Sequence, residues 1–264
     1  VQSVTCNVTH DSGDACDFFI TFSKGGASDY NRKVTFASDE LSYQIYDTAS
    51  KSNVLKGIDD ALTNSDVLEG SILSTDSSPK QMTFYLSMNP QQIVPPGSYL
   101  DTFAVKIFEG TVGSTTTESD LSNVTFTANT SSEVQVSLVE TGSGFDELDT
   151  NESLDFGDLV EDEEQSFDMR VRSNAGYSVT MESDNLGVMN HLDQGVLTTV
   201  SYELEVDTLL KDLTTAMPVE VTTGSGSTNI SGDVHTITIR IGAVNYPNAG
   251  GYADNIVLST TATE

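Results

Sequence analysis

The sequence predicts an all-β protein with two domains of the sandwich or barrel type. Its 264 residues are enough for two domains, each with a core of its own. Short segments that alternate apolar and polar residues are separated by turns rich in Ser, Thr, Gly, Asn and Asp, as in sandwiches and barrels. Apolar residues do not recur with helical spacing over three turns. An internal repeat with two copies supports the assignment of two domains.

The repeat is clearest in the motif Gly-x-Tyr-x-Asp, which opens an alternating apolar strand in each half. The first copy is PPGSYLDTFAVKI, Pro95–Ile107, and the second is PNAGGYADNIVLS, Pro247–Ser259. Before it, CDFFITFSKGG matches GYSVTMESDNLG, and LSYQIYDTASKSNVLKG matches VSYELEVDTLLKDL. Three pairs in the same order favour duplication over chance similarity, so we expect both halves to share a fold.

Alternation also predicts individual strands. In Lys80–Met88, residues Met82, Phe84, Leu86 and Met88 share one face. The segment Ser71–Ser74 and the turn Asp76–Pro79 precede this strand, and they are interpreted as the other arm of a hairpin.

Two strands are predicted between the repeats. A polar connector, Gly110–Asp120, is followed by SNVTFTANT, Ser122–Thr130, in which Val124, Phe126 and Ala128 share one face. A second alternating segment contains Val134, Val136 and Leu138. The predicted organisation is a first domain at 1–121, a strand and linker at 122–132, and a second domain at 133–264.

The charge excludes several classes of partner. The net charge is −29, with 14 acidic and 7 basic residues in 1–112 against 26 and 4 in 113–264. Such a surface repels nucleic acid and anionic membranes, and it suits a salty environment or a basic partner. We therefore expect no nucleic-acid binding. No apolar run of 18 residues is present, so no membrane-spanning helix is predicted.

Two cysteines, Cys6 and Cys16, lie close together in the sequence. If the protein is exported, the two cysteines are predicted to form a disulfide between neighbouring strands. If it is cytosolic, they are predicted to be two reduced thiols in the core. The residues leave both open.

Catalysis has little support in the sequence. The three histidines are scattered, and no nucleophile, phosphate-binding or metal-binding motif has a supporting context. The acidic stretch Asp146–Asp168 contains Asp149, Asn151, Ser153 and Asp155 at the spacing of a calcium loop. However, Leu154 stands where the loop needs Gly, and Val160 stands where it needs Glu. We expect a solvated acidic loop, with no enzyme activity, cofactor or metal.

Several segments together resemble the Spore Coat Protein U domain family, the pilin-like domains of archaic chaperone–usher pili. LDFGDL, Leu154–Leu159, is similar to the family's Phe-Gly strand, and GYSVTMES is similar to the next core strand. LSYQIYDTA and both Gly-x-Tyr-x-Asp strands match as well. The resemblance covers about residues 1–110 and 123–260. The first half lacks the Leu-x-Phe-Gly element between its cysteines, so its first strands are expected to be shortened or rearranged. The second half lacks cysteines, so the family's disulfide is missing there, and the resemblance implies a disulfide between Cys6 and Cys16 in the first half.

The resemblance implies immunoglobulin-like sandwiches that lack their last strand. A periplasmic chaperone fills the gap first, and an N-terminal extension of the adjacent pilin subunit then replaces it by strand addition. On this scheme Ser122–Thr130 is a donor strand that fills the first domain from within the chain, with Val124, Phe126 and Ala128 in its sockets. The alternative is a linker strand with no such role.

The resemblance also gives the chain a predicted direction. No donor extension precedes the first repeat, and the second domain stops after its closing strand, so the chain is expected to accept a strand and not to donate one. Such a subunit belongs at the tip of a fimbrium on the cell surface, after transit through the periplasm and an outer-membrane usher. There it would mediate adhesion or biofilm formation on a host or abiotic surface. Alternatives are an exported coat or surface protein of two complete sandwiches and a secreted carbohydrate-active enzyme.

The expected receptor site is at the pole of the first domain away from the second. The loops Lys24–Asp39, Ser74–Pro79 and Gly110–Leu121 are predicted to lie there. An aromatic surface with basic neighbours could bind a glycan or a surface, and the candidates are Tyr30, Arg32, Lys33 and Phe36. The alternative is that Phe36 is a core residue and Tyr30 an ordinary surface residue.

Overall fold

The computed structural model describes residues 1–10, 14–60, 62–76, 79–90, 92–114, 117–245 and 248–263. The chain divides into two compact units, Val1–Thr130 (unit 1) and Ser131–Glu264 (unit 2). Both consist of β-strands, and one short 3₁₀ helix, Asn64–Asp66, lies in unit 1. Over the described part of the chain, no helix has the length and apolarity needed to cross a membrane. The predicted class, two all-β sandwich domains, is confirmed.

Over its described residues, unit 1 has eight antiparallel strands joined in one hydrogen-bonded sheet. Their bounds are β1 Gln2–Val8, β2 Cys16–Phe22, β3 Lys33–Phe36, β4 Asp39–Tyr46, β5 Leu68–Ile72, β6 Lys80–Met88, β7 Gly97–Glu109 and β8 Thr117–Thr130. Hydrogen bonding follows the order β1-β6-β4-β3-β7-β2-β5, and β8 pairs with β7 on its other edge.

The core of unit 1 is formed by the alternate residues of these strands. Phe22 and Phe84 pack with ring centroids 4.8 Å apart, and Val34, Ile45 and Leu55 are fully buried around them. The period-two alternation that predicts the strands therefore also identifies the buried face.

The predicted hairpin between β5 and β6 is wrong. β5 pairs with β2, whereas β6 pairs with β1 and β4. A polar turn between two alternating segments can join strands that are not neighbours in the hydrogen-bonded order, because alternation reports which face is buried and not which strand lies beside it. Within that turn, Ser77 and Ser78 lie outside the described residues.

The described part of unit 2 has ten strands in two sheets. Their bounds are β9 Val134–Val139, β10 Glu164–Ser173, β11 Gly176–Ser183, β12 Val188–His191, β13 Gly195–Val206, β14 Leu209–Lys211, β15 Val219–Gly224, β16 Asp233–Ile241, β17 Tyr252–Ala253 and β18 Ile256–Thr263. One sheet has the order β17-β12-β13-β16-β10-β9, with β14 on β13, and the other has the order β15-β11-β18.

The core of unit 2 has no buried Phe and is built on aliphatic side chains, Met and Tyr. Met169, Val171, Val179 and Ile237 are fully buried. Leu154 and Phe156, in the segment that resembles the family's Phe-Gly strand, pack against this core. That segment is not a strand in the structure, since β10 is the first strand after β9.

The pairings show how the repeats correspond. The hairpin β3–β4 lies against the start of β7, and the hairpin β12–β13 lies against β17 in the same way. β2 and β11 pair with the strands that follow the two motifs, β7 and β18. Among the described residues, β8 has no counterpart in unit 2 and β9 has none in unit 1.

Candidate functional site

The tyrosine of each Gly-x-Tyr-x-Asp motif fixes the start of its strand. The Tyr99 hydroxyl donates to the carbonyl of Pro95 at 2.8 Å, and the Tyr252 hydroxyl donates to the carbonyl of Asn248 at 2.8 Å. A tyrosine that bonds back to the backbone a few residues upstream is the tyrosine corner of immunoglobulin-like sandwiches. The motif therefore marks equivalent positions in the two units.

The aspartate of each motif accepts a hydrogen bond from a buried tyrosine of a neighbouring strand. The Tyr43 hydroxyl donates to Asp101 at 2.6 Å, and the Tyr202 hydroxyl donates to Asp254 at 2.5 Å. Burial, followed by the bond to the carboxylate, raises the pKa of Tyr43 and of Tyr202. Both hydroxyls therefore remain protonated donors over the whole physiological range.

Strand β8 covers the free edge of β7 along its whole length. The pairing runs from Gly97 opposite Thr130 to Glu109 opposite Thr117, so β8 begins earlier than the predicted Ser122. The predicted socket residues Val124, Phe126 and Ala128 lie opposite Phe103, Asp101 and Tyr99.

The side chains of Val124, Phe126 and Ala128 pack against the core of unit 1, and the residues between them are exposed. The rings of Phe126 and Tyr43 are 5.0 Å apart at their centroids. Tyr99 and Phe103 of β7, which lie opposite Ala128 and Val124, are 0% exposed. A complete sandwich edge results, in which backbone pairing and apolar burial act together.

No described strand pairs with the equivalent edge of unit 2. Among the described strands, β18 pairs only with β11 and β9 pairs only with β10. The Cα atoms of β9 and β18 approach to within 8 Å, yet no ladder joins the two strands. We call the free edges of β9 and β18 the open edge.

Most apolar side chains along the open edge are only half-buried, although Val139 at the end of β9 is buried. Ile256 and Leu258 of β18, together with Val134, Val136 and Leu138 of β9, pack partly against the core. No described residue of β18 is fully buried, in contrast to β7. An unpaired strand edge beside half-buried apolar side chains can receive an added strand. The added strand would form backbone hydrogen bonds with the edge and cover those side chains with its own.

The two cysteines lie on β1 and β2, which do not pair with each other, and both are thiols in this structure. Cys6 of β1 is opposite Met82, and Cys16 of β2 is opposite Ile72. Both pack partly against the core, and burial raises the pKa of each thiol. The disulfide stays a prediction.

Arg32 is not available to a receptor, because its side chain is 0% exposed. Its guanidinium donates to the carbonyls of Phe22, Ser23 and Leu55 at 3.0, 2.9 and 2.7 Å and to Gln44 at 3.0 Å. Burial lowers its pKa to about 10. The prediction of a surface contact fails here because Arg32 supplies donors to carbonyls that strand pairing leaves unused.

The other three receptor candidates each have a different partner within unit 1. Tyr30 donates to Asp60 at 2.7 Å and lies under Arg32 and Lys24, at 4.9 and 5.2 Å from its ring centroid. Lys33 pairs with Glu40 across the β3–β4 hairpin.

Phe36 is 45% exposed and contacts the ring of Tyr99, with centroids 5.7 Å apart. It lies beside Gly97, where β8 ends, and its predicted location at the far pole stays a prediction. The other predicted loops of that pole include residues 77, 78, 115 and 116, which lie outside the described residues.

Sequence reasoning missed the role of the Tyr–Asp pairs. The signal was present, because Ser42-Tyr43 and Ser201-Tyr202 occupy the same place in the two repeats.

The acidic stretch Asp146–Asp168 is bonded to β9, where Leu138 donates its backbone N–H to the carbonyl of Asp149 at 2.8 Å. Over the described ranges, no group of three or more His, Cys, Asp or Glu side chains is placed to hold a metal ion.

The comparisons with known proteins bear on the fold of the chain and on the family of its N-terminal part. No curated protein matches the chain in sequence. The chaperone–tip adhesion subunit pre-assembly complex CsuC–CsuE, from archaic chaperone–usher Csu pili of Acinetobacter baumannii, has a chain with a TM-score of 0.53 and 15% identity. The alignment covers 98% of this chain and 91% of that one, and it supports the fold.

Two further structures are more distant. A chaperone–tip adhesin complex of CFA/I fimbriae biogenesis has a TM-score of 0.36 and 11% identity, covering 99% of this chain and 91% of that chain. A mutant of the enterotoxigenic E. coli adhesin CfaE has a TM-score of 0.36 and 10% identity, covering 99% and 88%. At these scores neither adds to the fold assignment.

The family comparison concerns the N-terminal part of the chain. Residues 1–106 match the family model described as Spore Coat Protein U domain. This range contains the first Gly-x-Tyr-x-Asp motif and most of β7. The predicted resemblance is confirmed over residues 1–106, which are similar to the Spore Coat Protein U domain.

Proposed function

We propose that this protein is a subunit of a chaperone–usher pilus, in which β8 completes unit 1 from within the chain and another subunit supplies the equivalent strand to unit 2. The observation that carries the proposal is the contrast between the two edges. β7 is paired along its whole length by β8, whereas β18 has a free edge. The same motif, with the same hydrogen bonds, underlies both strands.

The physical advantage of strand addition explains why both edges exist. An added strand gains backbone hydrogen bonds along the ladder and buries alternate side chains in the row beneath it. Until it is filled, an open edge above apolar side chains promotes aggregation. A periplasmic chaperone that covers the open edge before an adjacent pilin subunit inserts its donor strand meets this requirement, and an outer-membrane usher would carry the subunit to the surface.

In this proposal unit 1 is the adhesive part and unit 2 the attachment to the fibre. Because its own strand fills the edge of β7, unit 1 needs no partner there and is suited to the tip of the fimbrium. Tyr30, Lys33 and Phe36 remain candidate contacts for a host or abiotic surface, and Arg32 is withdrawn because it is buried.

The test is a synthetic peptide with the sequence of residues 122–130, added to the full chain at about 100 times its dissociation constant. It should stabilise unit 2 by about 2.7 kcal/mol and leave unit 1 unchanged, as measured by hydrogen exchange in each unit. The control peptide carries Ser at the positions of Val124, Phe126 and Ala128.

Equal binding of the control peptide, or no binding of either, would sink the proposal. In the second case two complete sandwiches, as in an exported coat protein, would be the better account.

A further inference from the structure

A bulged hairpin with exposed apolar side chains lies at one end of the open edge. We call residues Val188–Val200, from β12 and the first part of β13, the apolar hairpin. Leu192, Val196 and Leu197 are 70%, 78% and 87% exposed. Three aliphatic side chains this exposed within six residues of sequence form a patch of the kind that marks an interaction surface.

The apolar hairpin is fixed to the Tyr252 end of unit 2. His191 pairs with Tyr252, and their rings are 5.0 Å apart at the centroids. Leu192 donates its backbone N–H to the carbonyl of Gly251 at 2.9 Å, and Asn248 donates to Gln194 at 2.6 Å. The tyrosine corner therefore holds the hairpin in place.

Unit 1 shows that the apolar residues are an addition to the shared fold. There the equivalent hairpin, β3–β4, turns through Ala37 and Ser38 alone, and Phe36 takes the position of His191 over the motif tyrosine. In unit 2 the pairing jumps from Asn190–Thr199 to His191–Gly195. The residues looped out, Val196, Leu197 and Thr198, have no counterpart in unit 1.

The direction of β8 indicates what would lie beside the apolar hairpin. β8 runs antiparallel to β7 and leaves unit 1 at Gly97, the tyrosine-corner end. In this chain only Ser131, Ser132 and Glu133 then precede the first strand of the next folded unit. A donor strand in the same direction along β18 would leave at Tyr252, and its own folded domain would follow within a short reach.

We propose that the apolar hairpin is the docking surface for the folded domain of the pilus subunit whose strand fills the open edge. The inference rests on the proposed function and adds a second contact to it. The occupant presents an apolar surface at the base of its donor strand, which Leu192, Val196 and Leu197 cover. The contact fixes the angle between the two subunits and slows their separation.

The first experiment places a photoreactive residue in the full chain, in cells that assemble the pilus. Position 197 tests the hairpin, and position 257, on exposed Val257 of β18, tests the open edge. Position 210, on exposed Leu210, is the control, because it lies beyond Val206, at the other end of β13 from the apolar hairpin.

The expected result is one partner protein cross-linked from both 197 and 257, with an extended N-terminal segment at 257 and a residue of the folded domain at 197. Position 210 should give no such product. A product at 257 with none at 197, or with a different protein at 197, overturns this inference alone. No product at 257 overturns the proposed function and this inference with it.

The second experiment compares two double substitutions of exposed apolar pairs in the purified subunit pair. V196S/L197S should speed dissociation about tenfold. L209S/L210S, on the hairpin formed by β13 and β14, is the control and should leave the dissociation rate unchanged. Equal rates for both variants would contradict docking at the apolar hairpin.

Discussion

Strand β7 contains the first motif and strand β18 directly follows the second, yet the two strands have different surroundings. Each has a tyrosine corner and an aspartate that holds a buried tyrosine, with nearly identical distances. Yet Tyr99 and Phe103 of the first motif strand are fully buried, whereas Tyr252 and Ile256 of the second are only half-buried. The difference comes from β8, which lies outside the repeat. The motif positions the strand, and a separate segment decides whether its face is closed.

The largest expected effect concerns the stabilisation of unit 1 by β8, on which the contrast between β7 and β18 depends. Phe126→Ala removes the ring that packs on Tyr43, and it should lower the free energy of unfolding of unit 1 by about 2–3 kcal/mol. Urea unfolding followed by hydrogen exchange in each unit measures this, with unit 2 as the internal reference. Thr125→Ala, on the exposed face of β8, is the matched control and should cost less than about 1 kcal/mol. Equal effects would mean that β8 is only a linker.

The two tyrosine corners sharpen the comparison. Tyr99→Phe and Tyr252→Phe each remove one hydrogen bond to a backbone carbonyl. Because Tyr99 is fully buried, its loss should cost unit 1 about 1–2 kcal/mol. The loss of the more accessible Tyr252 bond should cost unit 2 less than about 0.5 kcal/mol, since water can replace it. The same urea titration checks both values, and a larger cost for Tyr252→Phe would mean that the edge of unit 2 is already closed.

A smaller effect concerns pH. Burial raises the pKa of Tyr43 and Tyr202 above the unfolded value of about 10. Each hydroxyl therefore contributes stability that is complete below about pH 10 and is lost as the pH rises further. Phe126→Ala uncovers Tyr43 and should lower its pKa without moving that of Tyr202. Ultraviolet absorbance titration, with Tyr43→Phe and Tyr202→Phe to assign the two steps, gives the result. Parallel shifts of both tyrosines would contradict separate edges.

Much of the fold follows from the sequence because alternation is a local signal. It identifies the core strands and the duplication, and the face of Val124, Phe126 and Ala128 is the face that packs on the core. Strand partners are not local, which is why β5 and β6 were assigned to one hairpin. A basic residue in a polar loop also gives no sign of burial, so Arg32 was placed on the surface, although it bonds carbonyls of two distant segments.

The candidate site could be predicted only in part, because alternation is local and strand pairing is not. The candidate donor strand shows in its apolar alternation, whereas the open edge depends on which strands fail to pair. The apolar hairpin escaped notice because GVLTTV, Gly195–Val200, has the composition of an ordinary strand. Only the shift in pairing at Asn190 and His191 shows that Val196 and Leu197 are looped out.

The central claim is that β7 is closed and β18 is open to an added strand. Residue-resolved hydrogen exchange of the full chain, with and without the peptide of residues 122–130, tests it most directly. We expect amides of β7 to be protected throughout, and every second amide of β18 to exchange quickly until the peptide protects it. Equal protection of β18 and β7 in the absence of peptide would contradict the account.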